Sequence, residues 1–160
     1  MTPSKPPAKP STITPYLTPR DAGEAIAFYH GAFGAEERVR IPTPDGTRVM
    51  HAELQIGDSI LMLSDPIERA GGPPVGFYIH LTVTDADADQ VFEQAQRAGA
   101  KVLVALHDAF WGARYGQLVD PFGYTWAISA HQRDVPDGEA AGKASAWYTE
   151  FEQERSRRSR

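Results

Sequence analysis

The chain has 160 residues, of which 41% are hydrophobic and 23% charged, a formal net charge of −5 and no cysteine. That length suits one globular unit, and the missing thiols exclude disulfides, thiolate metal centres and a cysteine nucleophile. The acidic balance argues against nucleic acid as the main partner, because phosphate binding needs a concentrated positive field.

Residues 1–12, MTPSKPPAKPST, carry proline, serine and lysine without an apolar run. A mobile arm is predicted there, with neither a signal peptide nor a membrane anchor, and the protein is expected in the cytoplasm without a membrane partner. Order begins near Ile13. Ala22, Ala25, Ile26, Tyr29, Ala32 and Phe33 recur at helical spacing, with Asp21 placed to cap the first turn and Gly34 to stop the last. Three strand-like segments follow, EERVRI, RVMHAELQI and SILMLS, separated by the turns PTPDG and GDS.

After a loop around IERAGGPPVG the same order returns. FYIHLTV reads as a strand, a helix from Asp85 carries Ala88, Val91, Phe92, Ala95 and Ala98 and is closed by Gly99, and KVLVAL, ARYGQLV and YTWAIS read as strands. Equivalent positions keep nearly constant offsets: 64 from Asp21 to Asp85, 65 from Gly34 to Gly99, 66 from Gly57 to Gly123. Each copy is too short to bury a helix and a sheet face alone, so the two must share a core. The chain is therefore predicted to be α+β, with paired βαβββ modules at about 13–65 and 77–131 forming a half-open curled sheet around a cup. Concave, mostly apolar enclosures of this kind bind small ligands.

The segment DAFWGARYGQLVDPFGYTW, residues 108–126, crowds Phe110, Trp111, Tyr115, Phe122, Tyr124 and Trp126 among glycines and turn formers. Each ring taken singly is explained by core filling. Together they point to a ligand pocket, with glycines allowing close backbone approach and rings offering stacking surfaces. Tyr78 and His80 share strand parity, and so do Ala113, Tyr115 and Gln117. Arg114 is a candidate partner for an anionic ligand, against the ordinary fate of an exposed strand arginine. Asp120 and Pro121 read as turn formers. No Ser-His-Asp arrangement and no phosphate-cradling glycine loop is present. Residues 132–160 form an extension in which Ala144, Trp147, Tyr148 and Phe151 predict an amphipathic helix before the basic end RSRRSR.

DAGEAIAFYHGAFGAEE in the first module, and AGAKV and VDPFGYTWAISAH in the second, resemble the vicinal oxygen chelate superfamily of glyoxalases, bleomycin-resistance proteins and extradiol dioxygenases. TPYLTPRDAGEAIAFYHGAFGAEE, MHAELQIGDSILMLSD, IHLTVTDADA and FWGARYGQLVDPFGYTWAISAH resemble its PhnB-like branch, over residues 13–131. The resemblance implies the fold and a homodimer, and it implies where an ion would sit: one ligand on the first and one on the last strand of each module. Those positions fall by count at Thr14, Leu61, His80 and Ala127, of which only His80 is a donor. Relatives of the branch carry an acidic residue and a histidine where Ala113 and Tyr124 stand here.

The reading is thus a protein that binds a small organic molecule without a cofactor, through His51, Tyr78, His80, Trp111, Arg114, Tyr115 and Trp126. The alternative is a metal-dependent lyase, isomerase or dioxygenase holding a divalent ion on His80, His51 and Glu53.

Overall fold

The computed structural model describes residues 13–66, 76–136, 138, 139, 141–144 and 146. The N-terminal arm, most of the 67–76 loop, the ring stripe Trp147, Tyr148 and Phe151, and the basic end lie outside the described residues. Element order is β1 (Tyr16–Leu17), α1 (Ala22–Phe33), β2 (Glu36–Pro42), β3 (Val49–Ile56) and β4 (Ser59–Leu63), then β5 (Ile79–Val83), α2 (Ala88–Arg97), β6 (Lys101–Asp108), β7 (Ala113–Val119) and β8 (Thr125–His131).

Local chemistry sets the helix ends as the sequence predicts. The Asp21 carboxylate accepts from the Glu24 amide, and Gly34 closes α1 in the left-handed region at φ 65°. The second helix differs at its start. Asp85–Asp87 make a tight 3-10 turn and α2 proper begins at Ala88, with no side-chain cap on Asp87.

Two separate four-stranded sheets result, ordered β1-β4-β3-β2 and β5-β8-β7-β6. β1 runs parallel to β4 and β5 to β8, and the remaining pairs are antiparallel. This is the doubled βαβββ arrangement, not closed into a barrel. What joins the halves is the helical layer: α1 and α2 pack on each other. One continuous core contains the helix-facing residues Leu17, Leu54 and Leu63 of the first sheet and Leu118, Trp126 and Ile128 of the second. Fully burying each such aliphatic side chain contributes ~1.5–3 kcal/mol.

The tightest link between modules is a buried carboxylate. Asp120, 4% exposed, sits in the β7–β8 turn and accepts at Oδ1 from the amides of Phe122 and Tyr124. Its Oδ2 accepts from the Tyr29 hydroxyl of α1 at 2.8 Å and the Trp126 indole N–H at 3.1 Å. Burial first, and the adjacent Asp120 charge second, hold the Tyr29 phenol far above its ordinary pKa. Around this junction Trp126 packs 4.4 Å from Phe33 and 5.3 Å from Tyr29, while Phe122 meets Phe28 at 6.1 Å. The Tyr124 hydroxyl accepts from the Thr18 amide in the other module. Asp120 is therefore more than the turn former that the sequence suggests.

Strand alternation now divides the 108–126 rings. Phe122, Tyr124 and Trp126 belong to the buried core. Trp111 and Tyr115 do not. The glycines serve the protein itself: a Cβ on Gly116 would stand 2.7 Å from the Phe92 ring of α2, and one on Gly112 would stand 2.1 Å from the Arg133 carbonyl. The close approach expected of a ligand is made at both places by the chain.

Candidate functional site

On β5, Ile79, Leu81 and Val83 pack against the core, so His80 and Thr82 project from the face turned away from the helices, here called the outer face. Register extends that face across the sheet. His80 lies opposite Ala127 and Ala127 opposite Gln117; Thr82 lies opposite Ser129, Ser129 opposite Tyr115, and Tyr115 opposite His107.

Tyr115 is the centre of an aromatic shelf there. Trp111 meets it edge-on at 5.2 Å and His107 edge-on at 6.2 Å, and the His80 ring lies tilted at 6.3 Å. The Gln117 amide donates to the Tyr115 hydroxyl at 2.7 Å. Burial pushes the Tyr115 phenol upward, the Gln117 bond opposes this, and neighbouring Tyr78 adds to the rise. Tyr78 and Trp111 remain 50% and 41% exposed, so the shelf presents ring surface to solvent.

Beside the shelf runs a groove of about 380 Å³ where the β3–β4 hairpin faces the edge strand β5. Residues 56–61 form one wall and residues 79–82 the other, with Ile13, Pro15 and Trp126 completing it. His80 belongs to both shelf and groove. A planar molecule could stack on the shelf and extend into this groove, meeting few charges on the way.

The outer face of the first sheet holds a second cluster. Tyr16 and Glu53 both lie opposite Met62, and His51 lies two residues before Glu53 on the same face of β3. The Tyr16 hydroxyl and His51 Nδ1 are 3.2 Å apart, and His51 Nε2 is 3.6 Å from a Glu53 carboxylate oxygen.

Tyr78, His80, Trp111 and Tyr115 are thus brought together, whereas His51 stands on the other sheet. Two expectations are corrected. Arg114 is on the helix-facing side of β7, and its guanidinium is engaged by Asp89 of α2 at 2.8 Å and Asp108 at 3.2 Å, so it does not face the shelf. Trp126 is 1% exposed and packs in the core, adding to the groove only an inner wall.

The ion positions implied by the resemblance also shift. The first hairpin turns on Gly57 and Asp58 between paired Ile56 and Ser59, the second on Asp120 to Tyr124 between paired Val119 and Thr125. An even turn against an odd one inverts parity when residues are counted from the turn glycine. Leu61 consequently faces the helices, and the pairing that matches His80 with Ala127 matches Tyr16 with Met62. Tyr16 and Met62, not Thr14 and Leu61, are the counterparts. The alternative set His80, His51 and Glu53 is not assembled: among the described residues no three His, Asp or Glu side chains stand close enough to hold an ion.

Tyr16 and His107 were missed by sequence reasoning. β1 has only two residues, too few for a period, and the register breaks between Val102 and His107 spoil the alternation that would have placed His107.

Comparison with known proteins agrees with this architecture. A Mycobacterium tuberculosis protein, itself described as uncharacterized, is 43% identical over 134 residues, covering 77% of this chain and 76% of its own length. A crystal structure from Pseudomonas aeruginosa superposes with a TM-score of 0.65 at 29% identity, over 77% of this chain and 99% of that one. TioX from a Micromonospora species superposes at 0.59 with 26% identity, over 76% and 98%. The sequence pattern of the Glyoxalase/Bleomycin resistance protein/Dioxygenase superfamily matches residues 12–128, and the chain belongs to that superfamily.

Proposed function

We propose that this protein binds a small, planar organic molecule on the Tyr115 shelf, without a metal ion, in the manner of the bleomycin-resistance branch of its superfamily. The observation that carries this is the grouping of Tyr78, His80, His107 and Trp111 around Tyr115 beside a groove of about 380 Å³. Rings offered to solvent in this way stack on planar ligands. The separation of His80, on the second sheet, from the His51 and Glu53 pair on the first speaks against the metal-dependent reading.

The PhnB-like assignment rests on the motifs quoted above. The reading keeps a cytoplasmic location, and among the described residues no helix is long and apolar enough to cross a membrane. We also read the protein as a homodimer, since Val39 and Ile41 on β2 and Val102 and Leu103 on β6 leave apolar surface exposed at the outer strands.

Titrating the full chain with a library of planar aromatic compounds, read by tryptophan fluorescence, tests the main reading. Saturable quenching that disappears in Trp111→Ala is expected. A flat response across the library would overturn it. Elemental analysis of protein purified without chelator should find less than one zinc, nickel, manganese or iron per chain.

A further inference from the structure

The Tyr16, His51 and Glu53 cluster is assembled by pairing, not by chance proximity on a loop. β1, β4 and β3 are adjacent strands, and Tyr16, Met62 and Glu53 form one rung across them, with His51 on the next rung of the same face. The tyrosine and histidine rings lie 5.8 Å apart at 33°, which aims the phenol oxygen at Nδ1. His51 and Glu53 are half-buried, with 27% and 25% of their side-chain surface exposed, and Tyr16 is the most open member at 48%.

The order of groups has a direction. Glu53 stands toward Nε2 and favours a proton there; Nδ1 is then left with its lone pair, able to accept from the Tyr16 hydroxyl. An imidazolium formed at His51 during proton transfer faces the Glu53 carboxylate 3.6 Å away. A hydroxyl within hydrogen-bond reach of a base, with a carboxylate 3.6 Å from the far side of that base, is an arrangement suited to proton transfer.

We propose that Tyr16, His51 and Glu53 form a proton-transfer site taking a neutral small molecule that bears an acidic C–H. Neutrality follows from the surroundings. Cross-strand neighbours of Glu53 and His51 on β2 are Val39 and Ile41, and Met62 lies between β1 and β3. Glu53 repels anions, while Arg38 of β2 donates to Gln55, on the same face of β3 as His51 and Glu53. In the step, the Tyr16 oxygen takes the proton from carbon as its own proton passes to His51 Nδ1. The C–H electron pair moves into the substrate, where it forms a double bond and expels a leaving group or becomes an enolate. The imidazolium returns its proton to water or to the product, so nothing is oxidised or reduced.

This site is independent of the Tyr115 shelf, which lies on the other sheet, and its test is separate. The full chain is incubated with 5-nitrobenzisoxazole, a neutral planar carbon acid. Loss of its ring C–H proton breaks the N–O bond and releases a coloured cyanonitrophenolate. The wild type is expected to accelerate ring opening well beyond an equal concentration of free imidazole, with His51→Ala lowering the rate about 100-fold or more. Tyr16→Phe should lower it at least about 10-fold, and Glu53→Gln should raise the share of His51 protonated at Nδ1 in nitrogen-15 NMR, a change that a structural role would not produce. Arg97→Ala, an exposed position on α2 outside both sites, should leave the rate unchanged. Nitrogen-15 NMR of the free protein should find neutral His51 protonated at Nε2. Equal rates in wild type, His51→Ala and Tyr16→Phe, or a His51 tautomer protonated at Nδ1, would overturn the proposal.

Discussion

Replacing Asp120 by asparagine keeps the size of the side chain and removes one acceptor oxygen. In the wild type the carboxylate accepts from the Phe122 and Tyr124 amides at Oδ1 and from the Tyr29 hydroxyl and Trp126 indole at Oδ2, all at 2.8–3.1 Å. Asparagine can turn its oxygen toward the two amides, leaving its NH2 facing Tyr29 and Trp126. The Tyr29 hydroxyl can rotate to accept, but an indole N–H only donates and is stranded. A buried unsatisfied donor costs ~1–3 kcal/mol, and exchanging a charge-assisted bond for a neutral one costs ~1 kcal/mol more. The opposite flip strands two backbone amides and is worse. Asp120→Asn is therefore expected to lose about 2–4 kcal/mol, which for a chain of this size lowers the melting temperature by roughly 4–16 °C. Urea unfolding followed by tryptophan fluorescence measures the loss directly, and a double-mutant cycle with Tyr29→Phe isolates the coupling between the modules. An Asp120→Asn protein within about 0.5 kcal/mol of wild type would refute the reasoning, because the junction would then not depend on acceptor capacity.

The remaining expectations concern packing and charge. Gly116→Ala pushes a methyl to 2.7 Å from the Phe92 ring and 3.0 Å from the Leu106 backbone, so a loss of ~1–3 kcal/mol by overpacking is expected in the same unfolding assay. Arg114→Ala removes an exposed pair with Asp89 and Asp108 on the helix side; ligand quenching at Trp111 should persist, and its abolition would place Arg114 at the shelf after all. Hydrogen bonds from Thr43 and Thr47 hold the Asp45 carboxyl down at about 2. A depressed folded pKa stabilises the β2–β3 hairpin above the ordinary carboxylate value of ~4, and that contribution is lost as pH falls through about 2. Amide exchange at Thr47 should rise across that window in wild type but not in Asp45→Asn.

The sequence by itself determined the doubled βαβββ order and the two helices with their stops. Each depends on local information: helical periodicity, a capping Asp21, a left-handed Gly34, and turn residues between strand-like runs. It also paired Tyr78 with His80, because parity within a short strand survives folding, but its set of seven, His51, Tyr78, His80, Trp111, Arg114, Tyr115 and Trp126, was divided by the fold. Tertiary structure decided which side of each strand is covered. Counting from Gly57 put Leu61 beside Ala127, yet a hairpin shorter by an odd number of residues turned it into the helical core and left Met62 in its place. The same limit hid the role of Asp120. A turn aspartate and a helix tyrosine 91 residues apart carry no mutual signal in one sequence, and only the packing of α1 against the β7–β8 turn brings them within a hydrogen bond. Arg114 followed the same rule: its partner Asp89 lies on a helix across the sheet, and alternation records that a strand has two faces without saying what lies against either.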